Sequence, residues 1–276
     1  MIFHKYQGLG NDFIVLEDFD GQAPKDPAFA VEWCDRRFGV GADGILYIGK
    51  AAGADASMKV LNSDGSEAEM CGNGIRCVAK HLYDFGFVKR RNMIIHTLAG
   101  NKLVDCSVEG GQVTDVKVDM GAPVLECERV PMACKGRFID QAIEVGGVEV
   151  KGTAVSMGNP HFVTFQGIGA EERRRLGPLL ESAGMFPRKT NVEFASVREG
   201  RIEVEVFERG AGWTLACGTG ACATTVAAVL SRLVPADQEV EVRLPGGSLW
   251  IKVTADLSAV GMRGPATHVF RGELEA

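Results

Sequence analysis

No stretch of this 276-residue chain approaches the roughly 18 consecutive apolar residues of a membrane-spanning helix. No block of lysine and arginine marks a surface for nucleic acid or anionic lipid. Charge is nearly balanced, 30 basic against 36 acidic side chains, and the run Arg173-Arg174-Arg175 follows Glu171-Glu172 and reads as a solvated helix face. The opening residues, Met1-Ile2-Phe3-His4-Lys5-Tyr6-Gln7-Gly8, lack the apolar core of a secretory leader. Together these absences predict a soluble, cytoplasmic protein without a membrane or nucleic-acid partner. The eight cysteines include no C-x-x-C pair, which removes zinc-ribbon and thioredoxin-like readings; at this length and expected location they read as thiols, and no metal is expected. A usable dinucleotide fingerprint is missing too. Gly39-Val40-Gly41-Ala42-Asp43-Gly44 fits G-x-G-x-x-G, but a helix-like stretch precedes it and a β-like run follows, the reverse of the required order.

What the chain does have is one short sentence written twice: Met70-Cys71-Gly72-Asn73-Gly74-Ile75-Arg76-Cys77 and Ala216-Cys217-Gly218-Thr219-Gly220-Ala221-Cys222. Sliding the sequence by 146 residues, the interval from Cys71 to Cys217, also sets Gly72 on Gly218, Gly74 on Gly220 and Asn62 on Glu208. An offset of 148 sets Gly10-Asn11 on Gly158-Asn159. The repeat predicts two duplicated halves, with a boundary near Gly121-Ala122-Pro123 and a final strand that returns to complete the first half. The length and the 46% apolar content suit two such domains.

Period and turn chemistry predict short strands and few helices. The strands are Phe3–Gln7, Phe13–Glu17, Ile45–Ile48, Ser57–Leu61, Met93–Thr97, Lys102–Val108 and Val113–Asp119 in the first half. A second group follows: Ala154–Ser156, His161–Phe165, Asn191–Val197, Arg201–Phe207, Glu239–Leu244, Leu249–Val253 and, last in the chain, His268–Arg271. The helices are Pro27–Arg37, Gly74–Tyr83, Glu171–Glu181 and Gly218–Leu233, the last buried on most sides. Cys77 and Cys222 then point into the core as small apolar residues.

Cys71 and Cys217 each open a helix, where the dipole and the unpaired first-turn N–H groups favour a thiolate. Two such thiols can act on one carbon: one removes a proton while the other delivers one to the opposite face, inverting the centre without a cofactor. The Gly72, Asn73, Gly218 and Thr219 N–H groups are placed to hold a carboxylate beside that carbon and to stabilise the charge that develops as the proton leaves. A single C-G-x-G would read first as packing. The duplication favours chemistry, and a covalent nucleophile would leave the second cysteine without a task.

Seven ordered motifs carry a resemblance. They are Gly8-Leu9-Gly10-Asn11-Asp12-Phe13; Asn62-Ser63-Asp64-Gly65-Ser66 leading to Met70-Cys71-Gly72-Asn73-Gly74; Ser156-Met157-Gly158-Asn159-Pro160-His161; Leu176-Gly177-Pro178; Asn191-Val192-Glu193-Phe194; Glu208-Arg209-Gly210-Ala211-Gly212 leading to Ala216-Cys217-Gly218-Thr219-Gly220-Ala221; and Leu244-Pro245-Gly246-Gly247-Ser248-Leu249. With them the chain resembles the diaminopimelate epimerases, cofactor-independent enzymes of lysine and peptidoglycan-precursor synthesis. The resemblance implies an α+β fold of two pseudo-symmetric domains, 1–120 completed by 263–276 and 121–262, each a curved, mostly antiparallel sheet wrapped around a central helix. It implies an active site between the halves and a homodimer. It also implies Cys71 and Cys217 as acid and base on LL- and meso-diaminopimelate, His161 and Glu208 as groups that tune the thiols, and Asn11, Asn62, Asn159, Asn191, Glu208 and Arg209 around the substrate. These types suit a ligand with two amino-acid ends, since amides serve ammonium and carboxylate alike and arginine grips a carboxylate with two bonds. Two positions depart from the family pattern: Gly44 stands where some members carry a glutamine that reaches the substrate, and Trp213 stands where many have a glutamate or a smaller apolar residue, at a cleft edge or a domain joint. Proline and hydroxyproline racemases share the paired-thiol logic but typically carry histidine where this chain has Asn73. A non-catalytic amino-acid binding protein would tolerate serine at both cysteines.

Overall fold

A computed structural model of the chain describes residues 1–274. The chain divides into two compact units, Met1–Asp119 with the residues from Arg263 onward, and Met120–Met262. In the first, β1 (Ile2–Gly8) and β2 (Asn11–Glu17) form an antiparallel pair turning at Leu9 and Gly10, both at positive φ. Helix α1 (Pro27–Cys34) starts where the Asp26 carboxylate accepts the Ala28 N–H. It stops at Cys34 and not at Arg37, because the Asp35 side chain accepts the N–H groups of Arg37 and Phe38 and bends the chain into a turn. Then follow β3 (Gly44–Gly49), β4 (Ala56–Asn62), β5 (Glu67–Ala68), α2 (Gly72–Asp84), β6 (Asn92–Thr97), β7 (Gly100–Glu109) and β8 (Gln112–Gly121). Strand β3 runs parallel to β2, β4 antiparallel to β3, β6 parallel to β4, and β7 antiparallel to β6.

The second unit repeats this order. It holds β9 (Gln141–Val145), β10 (Val148–Ser156), β11 (Pro160–Thr164), α3 (Ala170–Glu181), β12 (Asn191–Arg198), β13 (Arg201–Glu208), β14 (Gly212–Thr214), α4 (Gly218–Leu230), β15 (Glu239–Leu244) and β16 (Gly247–Val253). Strand β11 is antiparallel to β10, β12 parallel to β11, β13 antiparallel to β12, β15 parallel to β13, and β16 antiparallel to β15. The 146-residue slide carries both ends of α2 onto both ends of α4. The chain returns to the first unit through β17 (Val260–Pro265) and β18 (Thr267–Glu273), and β18 pairs antiparallel with β1.

Each unit is thus a mostly antiparallel sheet around one buried helix. Helix α2 packs on β1, β2, β3, β4, β6, β7 and β18, and every residue from Gly72 to Leu82 is buried. Helix α4 packs on β10, β11, β12, β13, β15 and β16, and its small residues Gly220, Ala221, Ala223, Ala227 and Ala228 let the strands approach. It ends at Leu230, three residues before the expected stop: Arg232 adopts φ 59°, and the Arg232 and Leu233 N–H groups bond back to Val229 and Ala228. Strands β5, β9, β14 and β17 escaped the sequence reading because they are very short or carry little β-branched alternation.

One expectation for the cysteines is overturned. Cys127 and Cys134 form a disulfide across seven residues, brought together where Cys127 N–H bonds to Gly136 O and Met132 N–H to Cys127 O. Sequence spacing carries no record of that fold-back. Trp213 lies within the second unit, against Phe207, Phe194 and Gly177, with the Arg174 guanidinium 4.9 Å over its ring.

Three of the five histidines gather in the first unit. His4 Nδ1 lies 3.1 Å from His268 Nε2, His81 Nδ1 3.1 Å from Tyr6 Oη, and Glu17 Oε1 is 3.0 Å from His81 Nε2 and 3.7 Å from His4 Nε2. The cluster satisfies itself as a hydrogen-bonded network. Burial, with the neighbouring histidines, pushes His4 and His81 down to about 4 from an ordinary 6.5. As pH falls from about 6.5 toward 4, the unfolded chain takes up protons that the folded cluster refuses, so stability is lost through that window. The thermal unfolding midpoint is therefore expected to drop by several degrees between pH 7.5 and about 5, and scanning calorimetry across that range checks it.

Candidate active site

Cys71 is the N-cap of α2 in extended backbone (φ −131°, ψ 114°), and its Sγ accepts the Gly74 N–H at 3.3 Å. Cys217 caps α4 in the same way (φ −120°, ψ 108°), with Gly220 N–H on Sγ at 3.4 Å. Sulfur is a weak acceptor, and serine or aspartate would cap either helix better. Cysteine at both caps is therefore a choice that helix stability does not explain. The helix ladder does not use the first-turn N–H groups of Gly72 and Asn73, or of Gly218 and Thr219.

Around Cys71 the side chains are held in series. Asp43 Oδ2 accepts Asn11 Nδ2 at 2.8 Å and the Asp12 N–H at 3.0 Å, and Arg36 braces Asp43 and Asp12. This turns Asn11 Oδ1 toward Asn73 Nδ2 at 3.1 Å and the Cys71 thiol at 3.9 Å. Asn73 Oδ1 in turn accepts from Arg76. Asn62, half-exposed at the end of β4, donates to Ser66 Oγ at 2.9 Å. Gly44 pairs with Asn62 across β3 and β4, and a Cβ there would stand 2.6 Å from Leu61 O, so the close backbone excludes any side chain without a shift of the strand.

The second unit supplies the other expected residues. His161 is fully buried between Glu193 Oε1, 2.7 Å from Nδ1, and Asn159 Oδ1, 2.9 Å from Nε2. Asn191 is buried with both ends of its amide engaged, Nδ2 donating to Pro160 O at 2.8 Å and Oδ1 accepting the Arg209 N–H at 2.9 Å. Glu208 Oε1 accepts the Thr214 hydroxyl at 2.6 Å, and the exposed Arg209 guanidinium donates to Arg188 O at 3.3 Å. Thr219 Oγ1 lies 3.5 Å from Cys217 Sγ.

The thiolate preference expected of a helix N-terminus does not prevail at Cys217. Burial, then the Glu208 and Glu193 carboxylates, push its thiol well above the ordinary value, outweighing the Thr219 and Gly220 hydrogen bonds. Cys77 and Cys222 are buried in the core, as their helical phase predicts.

Asp43 and Glu193 were missed by the sequence reading. Asp43 sits in the glycine-rich segment set aside as a false nucleotide motif, whose work is to brace Asn11. Glu193 enters the sequence reading only as part of the Asn191-Val192-Glu193-Phe194 motif, with no role; it stands between Val192 and Phe194 on a strand buried on both faces and has no exposed surface.

A family model described as diaminopimelate epimerase matches residues 3–126 and 153–269. The diaminopimelate epimerase of Pelotomaculum thermopropionicum is 49% identical, over 99% of this chain and 98% of its own. That of Desulfitobacterium hafniense is 48% identical, over 98% and 96%. Among solved structures, a probable proline racemase from Agrobacterium radiobacter K84 shares the fold, with TM-score 0.73 and 16% identity over 99% of this chain and 92% of its own. The matched family segments contain the capping cysteines of both helices and their surrounding amides, and the chain belongs to the diaminopimelate epimerase family.

Proposed function

We propose that the protein interconverts LL- and meso-diaminopimelate without a cofactor, with Cys71 and Cys217 exchanging the α-proton as thiolate and thiol. The observation that carries this reading is the repeated cap: two cysteines in one backbone conformation, each at the first turn of the buried helix of its unit. The carboxylate next to the reacting carbon takes the first-turn N–H groups of Gly72, Asn73, Gly218 and Thr219. Loss of the α-proton moves charge into that carboxylate, so these oriented donors hold the transition state more strongly than the ground state. Asn11, Asn62 and Asn159 offer amides to the ammonium and carboxylate groups, and Arg209 and Glu208 take the distal amino-acid end. Asn191 acts by holding the Arg209 backbone. His161 and Glu208 tune the thiols. The working protein is a cytoplasmic homodimer in this reading.

The test is solvent-deuterium uptake at the α-carbon of LL-diaminopimelate, followed by mass spectrometry in reducing buffer with no cofactor added. Uptake accompanied by appearance of the meso isomer is the expected result. Absence of uptake by folded, reduced protein, with uptake on proline or hydroxyproline instead, would replace the substrate and keep the two-thiol chemistry.

A further inference from the structure

Glu193 is a carboxylate in a place where packing alone calls for an apolar residue. It lies on β12 with no exposed surface, Oε1 on His161 Nδ1 at 2.7 Å and Oε2 buried without a hydrogen-bond partner. An acid half-satisfied in a dry interior is a net cost to stability. Its surroundings show what it faces. A Cβ built on Gly220 would stand 2.9 Å from Glu193 Oε1 and 3.2 Å from Cys217 Sγ, so one bare glycine separates the carboxylate from the thiol.

The charged and titratable groups at this point come from three strands. Glu193 on β12 is closed off from solvent, and His161 on β11 is bonded to it. Glu208 on β13 is half-exposed and accepts the Thr214 hydroxyl. The Thr219 hydroxyl and the Gly220 N–H, from α4 itself, act in the opposite sense on Cys217. Water screens Glu208 in part. It cannot screen Glu193, and a negative charge this close in a medium of low dielectric acts strongly on ionisation of a neighbouring thiol. The charge bears on Cys217 when the shared proton sits on His161 Nδ1 and Glu193 is the ionised partner; burial pushes the Glu193 carboxyl up, and the bond to His161 acts in the opposite sense.

We propose that Glu193 is a positioning residue that keeps Cys217 protonated in the free protein, so that Cys217 is the resting acid of the pair and Cys71 the resting base. This rests on the reading of both cysteines as proton-transfer groups. Two-thiol exchange stalls when both sulfurs are ionised or both are protonated, and a fixed buried charge beside one of them breaks that degeneracy. The free protein is then poised for the stereoisomer whose α-proton meets Cys71.

The experiment is the pH dependence of iodoacetamide alkylation at Cys71 and Cys217, read peptide by peptide by mass spectrometry in the wild-type and E193Q proteins. Thiolate alone reacts, so the midpoint of each profile reports ionisation, while the alkaline plateau reports access. Expected are a wild-type Cys217 midpoint above that of Cys71 and above that of the same cysteine in urea. In E193Q the Cys217 midpoint falls by about one pH unit, with about a tenfold faster reaction near pH 8, while its plateau and the Cys71 profile stay in place. An unchanged Cys217 midpoint in folded E193Q overturns the proposal. So does a wild-type midpoint at or below the urea value, which decides the matter if E193Q does not fold. Where the reagent does not reach folded Cys217, thiolate absorbance titrated as the difference between wild type and Cys217→Ala gives the same midpoint. Solvent-deuterium uptake in the same preparations separates the two claims: ionisation is read without substrate, and a protein that fails to exchange deuterium refutes the epimerase reading alone.

Discussion

Cys71→Ala and Cys217→Ala are each expected to lower kcat/KM for inversion at the α-carbon by at least about a thousandfold, while leaving α2 and α4 folded. The size follows from the division of labour. In the proposed two-thiol exchange, removing either sulfur takes away the proton acceptor for one isomer and the proton donor for the other, so both directions should fail, and the double variant should be little worse than either single one. Stability should move in the other direction for serine. A hydroxyl is a better cap than a thiol, so Cys71→Ser and Cys217→Ser are expected to be as stable as wild type, or more stable by up to about 1 kcal/mol, and still nearly inactive. Urea unfolding measured beside deuterium exchange on the same samples checks the pair of outcomes. A serine variant that keeps wild-type inversion would leave the cysteines as mere caps.

Arg76→Met is expected to destabilise the protein by about 3–5 kcal/mol, since several buried acceptors lose their donor at once and each costs about 1–3 kcal/mol when left unmet. Arg76 has no exposed surface, and it donates to Gly72 O at 3.0 Å, Asn73 Oδ1 at 3.0 Å and Pro265 O at 3.1 Å. It ties the first turn of α2 to the returning C-terminal segment of its unit. Methionine fills much of the space but leaves those acceptors unmet inside the protein. Arg137→Met makes the contrast: its guanidinium is more than half exposed, it pairs with Glu126 at 3.1 Å, and its loss should cost under about 1 kcal/mol. Equal urea midpoints for the two variants would mean that Arg76 contributes nothing beyond a surface ion pair. Because Asn73 loses its brace with Arg76, KM should also rise in whatever fraction of Arg76→Met remains folded.

The repeated Cys-Gly-x-Gly was legible because it is local. The residues that cap a helix, open it and bury its first turn are neighbours in sequence, and both helices stand where the repeat puts them, although α2 begins at Gly72 rather than Gly74 and α4 ends at Leu230 rather than Leu233. That end is closed by Arg232 in the left-handed region, a conformation with no glycine or asparagine to announce it. Most strands were legible from alternation. Strands β5, β9 and β14 were not, because their pairing is imposed by neighbours rather than by their own residues, and neither was β17, whose two glycines and proline carry no strand signal.

The sequence by itself determined the duplicated order of elements, the two cysteine caps, the buried phase of Cys77 and Cys222, and the family. Tertiary structure alone decided everything that depends on distant residues meeting. Asp43 was brought to Asn11 and Glu193 to the Cys217 cap, both amide ends of Asn191 were engaged, and Cys127 was joined to Cys134. The proton state of Cys217 belongs with these. A helix N-terminus is readable from a few adjacent residues and argues for a thiolate, but burial and two carboxylates from β12 and β13 outweigh it, and no local pattern encodes a charge brought in from another strand.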